Sequence, residues 1–237
     1  MKQRVITALL LAPLVLAGVL LLPAYLLMAL VAAVLLGGLW EWTRLIGIQG
    51  HALRTLILLA HAAAMAWLAW NGWPELFPWV ALTGVVWWLA AALWLRFPAH
   101  GKAPTARNRV LKLGIGTLLI LPAWCAFALL HHESALWALF GLLLVWAADV
   151  FAFFSGRRFG GSKLAPGISP GKTWAGFWGG LFGVVVLTLA MAPLLDVPLA
   201  QLPALVAISL VAGLASVLGD LFESLIKRQA GAKDSGT

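Results

Sequence analysis

The C-terminal stretch, residues 219–237, has the side chains best suited to chemistry. Its ionisable residues are Asp220, Glu223, Lys227, Arg228, Lys233 and Asp234. If the stretch is helical, Asp220, Glu223 and Lys227 share one face, because they are spaced by three and four residues. Carboxylates beside cations at the end of a long apolar run indicate a site for a divalent metal ion and a phosphorylated substrate.

A second candidate site is the stretch 156–174, which combines glycines, hydroxyls and cations just before a predicted helix. Its polar side chains include Arg157, Arg158, Ser169, Lys172 and Thr173. Backbone N–H groups at a helix N-terminus, with Lys and Ser or Thr nearby, favour phosphate binding. The stretch is not a P-loop, because Pro166 stands where that motif has its first glycine and the preceding segment is a predicted membrane helix. We interpret it as functional rather than as an ordinary basic loop.

Asp149 is a third candidate because it lies in an apolar and aromatic segment, about two turns before Arg157. A carboxylate in such surroundings needs a partner, a proton or a metal ion. We interpret Glu41 differently, as an interfacial residue that pairs with Arg44.

Other patterns favour structural roles. The glycines spaced four apart in residues 176–183 are typical of closely packed membrane helices. Adjacent residues in a short loop rarely converge on one ion, so we do not expect a metal site at 131–133, which reads His-His-Glu. His61 is expected to hydrogen-bond a neighbouring helix. The single cysteine, Cys125, excludes an intrachain disulfide.

The composition predicts an all-α fold, a polytopic transmembrane helical bundle. Hydrophobic residues make up 63% of the chain and charged residues 10%, and the mean hydropathy is +0.99. We predict one integral membrane domain over residues 1–237, in which 1–110 hold N-terminal helices and a basic loop and 111–237 hold the candidate catalytic helices and loops. The eight predicted spans are 5–23, 25–43, 55–71, 77–95, 112–130, 135–153, 173–193 and 201–219.

The basic residues set the predicted orientation. All 16 Lys and Arg residues lie at the N-terminus or in the connections that follow spans two, four, six and eight. By the positive-inside rule, the N-terminus and these connections are cytoplasmic. The net charge of +8 therefore indicates membrane topology and not nucleic-acid binding. The basic loop 96–112 is interpreted as a topology signal and lipid anchor.

Three stretches resemble the phosphatidate cytidylyltransferase (CDP-diacylglycerol synthase) family: 149–160, 169–174 and 219–236. The resemblance covers most of the chain and is strongest after Asp149. It implies a Mg²⁺-dependent enzyme that converts CTP and phosphatidic acid to CDP-diacylglycerol and pyrophosphate. It also implies a homodimer that lies among the lipids of the bacterial inner membrane, with its active site facing the cytoplasm. The family resemblance further implies a ninth membrane span.

The resemblance assigns roles to the candidate residues. The metal ligands would be Asp220 and Asp234. The residues that clamp phosphates would be Lys227, Arg228 and Lys233. The residues that cradle the CTP triphosphate would be Ser169, Lys172 and Thr173. Further residues of the substrate site would be Arg157, Arg158, Glu223 and Asp149.

The chain also departs from the family pattern. Ala175 stands where the family often has an acidic or amide residue, and the chain lacks the family's final His-Gly-Gly and aspartate motif. We therefore expect a C-terminally truncated sequence and an inactive or impaired 237-residue chain. The alternatives are a degenerate non-catalytic membrane homologue, a CTP-dependent lipid kinase, and a lipid carrier or transporter. A transporter would hold its ionisable groups near the bilayer midplane.

Overall fold

The computed structural model describes residues 2–232, with side chains from residue 11 onward, and this part of the chain is almost entirely helical. Its helices are α1 (Lys2–Leu21), α2 (Ala24–Leu45), α3 (His51–Trp67), α4 (Phe77–Trp94), α5 (Ala106–Glu133), α6 (Ala135–Phe159), α7 (Trp174–Met191) and α8 (Leu202–Gln229). A π-helical turn, Leu68–Gly72, extends α3, and a 3₁₀ turn, Leu199–Gln201, precedes α8. The predicted all-α polytopic bundle is confirmed.

Seven helices, α2 to α8, are long and apolar enough to cross a membrane, so the chain is an integral membrane protein. Contacts join the end of α2 to the starts of α3 and α5, the end of α6 to the start of α7, and the end of α8 to the connection that follows α4. The C-termini of α2, α4, α6 and α8 therefore lie at the same end as the N-termini of α3, α5 and α7. We call this the basic end, because the basic connections of the sequence fall there.

Helices α5 and α6 extend six residues beyond their predicted spans at the basic end, and two further differences affect the candidate site. Helix α8 continues ten residues beyond the predicted span end at 219, so Asp220 to Arg228 are helical, as the C-terminal motif requires. With 28 residues, α8 is about 42 Å long, more than the ~30 Å of a hydrocarbon core. The second difference is a hairpin of β1 (Lys163–Ala165) and β2 (Ser169–Thr173), in a stretch where no strand was predicted.

The closest helix packing joins α6 to α7, and glycines make it possible. A Cβ built on Gly180 would lie 3.0 Å from the Ala148 carbonyl oxygen, and one on Gly176 would lie 3.0 Å from the Ala152 carbonyl oxygen. A Cβ on Gly179 would overlap the Ser155 side chain. The predicted packing role of the glycines in 176–183 is therefore confirmed.

Helices α2, α3, α4 and α5 form a separate apolar core. At the basic end of this core, polar contacts join α3 to α2. The buried Arg54 of α3 donates to the Trp40 carbonyl oxygen at 2.6 Å and to Thr43 Oγ1 at 3.0 Å. Its guanidinium also lies 3.7 Å from the centre of the Trp40 ring. The expected contact of His61 is confirmed, since its Nε2 lies 2.9 Å from Thr117 Oγ1 of α5.

We predict that Gly180→Val destabilises the protein by about 1–3 kcal/mol, because the Ala148 carbonyl belongs to a helix backbone that cannot move aside. Thermal unfolding in detergent would measure the change. The matched control is Gly114→Val, whose added Cβ meets no atom within 4 Å. Equal losses of stability in the two variants would contradict the close-packing account.

Candidate functional site

A cavity of about 600 Å³ lies at the basic end between α6, α7 and α8, and the β hairpin closes one side. Its polar lining residues are Asp149, Arg157, Lys172, Thr173, Ser216 and Asp220. Apolar side chains, among them Phe153, Phe177 and Val217, make up much of the remaining wall. The cavity thus places charged groups beside apolar surface, from the basic end inward to the depth of Asp149.

The two aspartates reach the cavity from different helices at a similar depth. Asp149 is ten residues from the C-terminal end of α6, about 15 Å along the axis, and Asp220 is nine residues from the end of α8, about 14 Å. Asp149 is within electrostatic range of both Asp220 and Lys172. The close α6–α7 packing fixes the position of Asp149, because the Ala148 carbonyl is the atom that Gly180 accommodates.

The hairpin positions the basic group of the site. Gly160 and Gly161, with φ of 59° and 85°, reverse the chain after α6 in a conformation that favours glycine. The antiparallel strands pair Lys163 with Thr173, and the buried Thr173 Oγ1 then accepts from the Gly176 N–H at 3.1 Å. Thr173 is therefore the N-cap of α7.

Lys172 precedes this cap and crosses to α8. Its Nζ donates to Asp220 Oδ2 at 2.5 Å. The Lys172 side chain is 25% exposed and the Asp220 side chain 53%, so a ligand in the cavity can reach both. This ion pair joins the two stretches that the sequence predicted to be functional.

The structure separates Asp220 from Glu223 and Lys227, so the predicted common face of these three residues is not a common site. Glu223 Oε1 forms an ion pair with Lys227 Nζ at 2.9 Å. Glu223 also lines a second cavity, of about 320 Å³, together with Glu41. Residues three apart are separated by about 60° around a helix axis, and α8 lies between the two cavities, so this step is enough to place Asp220 in one cavity and Glu223 in the other. The expected Glu41–Arg44 ion pair does not form between these two described residues.

The remaining predicted site residues are distributed as follows. Arg157 lines the first cavity, whereas Ser169 and Arg158 do not, and the Arg158 guanidinium lies 5.9 Å from the centre of the Phe159 ring. Arg228 is exposed near the end of α8. The predicted residues Lys233 and Asp234 lie outside the described residues. Ser216 was missed, although it precedes Asp220 by one helical turn and that spacing could have indicated it.

The carboxylates of the cavity supply the oxygen atoms that divalent metal ions prefer as ligands. Within residues 2–232, no group of three or more His, Cys, Asp or Glu side chains could hold a metal ion. Asp149 and Asp220 nevertheless share one cavity. One or two carboxylates together with substrate phosphates are a common way for proteins to hold Mg²⁺.

In the stretch 131–133, where no metal site was expected, the His132 ring packs against the Trp73 ring with 4.9 Å between the ring centres.

Comparison with known proteins gives a consistent result over the whole chain. The sequence model of the cytidylyltransferase family matches residues 2–237. A phosphatidate cytidylyltransferase of Pseudomonas aeruginosa is 41% identical, over 99% of this chain and 86% of that protein. One of Haemophilus influenzae is 33% identical, over 99% of this chain and 88% of that protein. One of Brucella abortus is 47% identical, over 39% of this chain and 34% of that protein.

We predict that the Lys172–Asp220 pair contributes little to stability, about 0.2–1 kcal/mol, because water reaches both side chains. A double-mutant cycle of Lys172→Gln and Asp220→Asn, followed by unfolding in detergent, would measure it. The exposed pair Glu223–Lys227 provides the control cycle, with an expected coupling of about 0.3–0.5 kcal/mol. A coupling above about 3 kcal/mol would mean that Lys172 and Asp220 form a structural bridge.

Proposed function

The chain belongs to the cytidylyltransferase family, and we propose that it transfers the cytidylyl group of CTP to phosphatidic acid, giving CDP-diacylglycerol and pyrophosphate. The observation that carries the proposal is the cavity in which Lys172 of the hairpin meets Asp220 of α8. Both substrates bear phosphates, and one of them is a lipid. A charged cavity beside apolar membrane-facing surface suits this combination. The relatives that match nearly the whole chain bear the name of this activity.

In the proposed reaction, a phosphate oxygen of the lipid attacks the α-phosphorus of CTP. The bond from that phosphorus to the bridging oxygen breaks, and pyrophosphate leaves with the electron pair. Lys172 and Arg157 attract the triphosphate and stabilise the charge that develops on the leaving group. Lys172 exchanges its contact with Asp220 for phosphate oxygens when CTP enters, which the exposure of both side chains permits.

The N-terminus of α7 supports the same substrate. Thr173 caps the helix beside Lys172, so the positive end of the helix dipole faces the cavity. The apolar wall, including Phe153 and Phe177, would receive the glyceride part of the lipid. The hairpin thus binds nucleotide phosphates while α6 and α7 accept the lipid.

We propose Mg²⁺ as the cofactor, held by Asp149 and Asp220 together with phosphate oxygens. The ion would neutralise phosphate charge during the transfer. Asp234 remains a proposed ligand outside the described residues. When the Lys172–Asp220 pair opens, the Asp220 carboxylate would become available to the metal ion and Lys172 would become available to phosphate.

We further propose that the basic end faces the cytoplasm, where CTP is found, and that the protein is a homodimer of the bacterial inner membrane. The distribution of Lys and Arg supports this orientation through the positive-inside rule. A transporter is less well supported, because Arg157, Lys172 and Asp220 place most of the charge of the cavity toward the basic end, although Asp149 lies within two residues of the middle of α6.

In the protein made from the full reading frame, we predict that Asp220→Asn and Lys172→Gln each lower the rate of CDP-diacylglycerol formation by about 10²–10³-fold. The first removes a carboxylate of the proposed Mg²⁺ site, and the second removes a cation that binds the phosphates. The assay follows transfer of label from CTP to lipid. The control is Asp196→Asn, which lies outside the cavity and keeps a residue type that tolerates its φ of 52°.

The position of the label separates the competing activities. Cytidylyl transfer moves label from the α-phosphate of CTP to the lipid, whereas a lipid kinase moves label from the γ-phosphate. Transfer of γ-label, or no lipid product at all, would contradict the proposed function. Normal activity in both cavity variants would contradict the proposed site.

We predict that Asp149→Asn raises the Mg²⁺ concentration needed for half-maximal activity by about tenfold or more, because it removes one of two cavity carboxylates. Magnesium titrations after chelator treatment would measure the shift, and equilibrium binding of Mg²⁺ with CTP would give an independent value. Glu41→Gln, in the second cavity, should leave the requirement unchanged. An unchanged requirement in Asp149→Asn would remove Asp149 from the metal site.

A further inference from the structure

The connection between α4 and α5 forms another charged surface at the basic end, away from the catalytic cavity. Four exposed cations make up this basic loop surface: Arg96, Lys102, Arg107 and Arg109. Residues 96–109 contain no Asp or Glu, and within residues 2–232 none of the four cations forms an ion pair. Cations that the protein leaves unpaired are available to an anionic partner.

Apolar side chains beside these cations indicate where the partner lies. Phe97, next to Arg96, is 62% exposed, and Val110, next to Arg109, is 70% exposed. A surface that alternates cations with exposed apolar groups at the end of membrane helices fits the boundary between headgroups and acyl chains. In that position the apolar groups would enter the acyl region while the cations would remain level with the phosphates.

The loop has a defined shape because α8 holds it. Gln229 Nε2 donates to the carbonyl oxygens of Pro98 and His100, each at 2.9 Å. Trp94 Nε1 donates to the same His100 oxygen at 3.1 Å, and the Trp94 ring packs against Phe222 of α8. The cations are therefore displayed on a fixed scaffold, which lowers the entropy lost when headgroups bind.

We propose that the basic loop surface binds the phosphates of anionic phospholipids in the leaflet that it faces. Unpaired cations, flanking apolar anchors and a fixed loop together match a lipid headgroup layer. The occupant is bulk anionic lipid such as phosphatidylglycerol, bound through its phosphodiester. This binding is distinct from the proposed reaction, since none of the four cations lines the catalytic cavity.

The test uses a local reporter, so the other basic residues of the chain do not dominate the signal. A fluorophore on Ala103→Cys, in a Cys125→Ala background, would report from the exposed loop in bilayers of neutral lipid. Quenching by nitroxide-labelled phosphatidylglycerol is compared with quenching by nitroxide-labelled phosphatidylcholine. We expect the mole fraction of nitroxide-labelled lipid that gives half-quenching to be about fivefold lower for phosphatidylglycerol than for phosphatidylcholine. This factor corresponds to the attraction of about 1 kcal/mol that one cation near the surface supplies.

Two variants decide the cause of that preference. Replacing all four cations by Gln should bring the ratio close to one, whereas Arg96→Lys, Arg107→Lys and Arg109→Lys together should keep it, because charge is retained. High salt should weaken the preference of the parent. Unchanged quenching by the neutral lipid would show that the loop of the Gln variant keeps its depth. A ratio near one in the parent, or an equal ratio in the Gln variant, would overturn the proposal.

Discussion

The ion pair between Lys172 and Asp220 is the contact on which the candidate site depends, because it joins two elements that are remote in sequence. Water reaches both side chains, so the pair adds little to stability, and its role is to hold the cation of the hairpin beside the carboxylate of α8. Here each residue supplies the charge that the other needs. The pair is also exposed enough to open. Without ligand, the two charges satisfy each other, and when substrates bind, Lys172 can contact phosphate and Asp220 can contact the metal ion.

Glycine packing between α6 and α7 makes this pairing possible. Because Gly176 and Gly180 bring the two helices into backbone contact, the loop between them begins and ends at nearly the same place and can close as a short hairpin. The Thr173 cap then fixes the direction in which Lys172 leaves the hairpin. A packing feature with no chemistry of its own thus determines the geometry of the charged groups.

Much of this was predictable from sequence, for physical reasons. Long apolar runs and one-sided charge predicted the helices and the basic end, and the charge of Lys172, Asp149 and Asp220 beside apolar segments predicted the site. The division of α8 between two cavities was not predictable, because it depends on which neighbours pack against Asp220 and Glu223. The hairpin was also missed, since its pairing depends on the closeness of α6 and α7 and not on strand propensity in a stretch rich in Gly and Pro.

The most direct test of this account is an experimental structure of the protein with CTP and Mg²⁺ bound in lipid. The account predicts that the triphosphate lies in the cavity between α6, α7 and α8, that Lys172 contacts phosphate, and that Asp220 has turned from the lysine to the metal ion. A triphosphate bound in the second cavity beside Glu41 and Glu223, or an intact Lys172–Asp220 pair with nucleotide present, would contradict it.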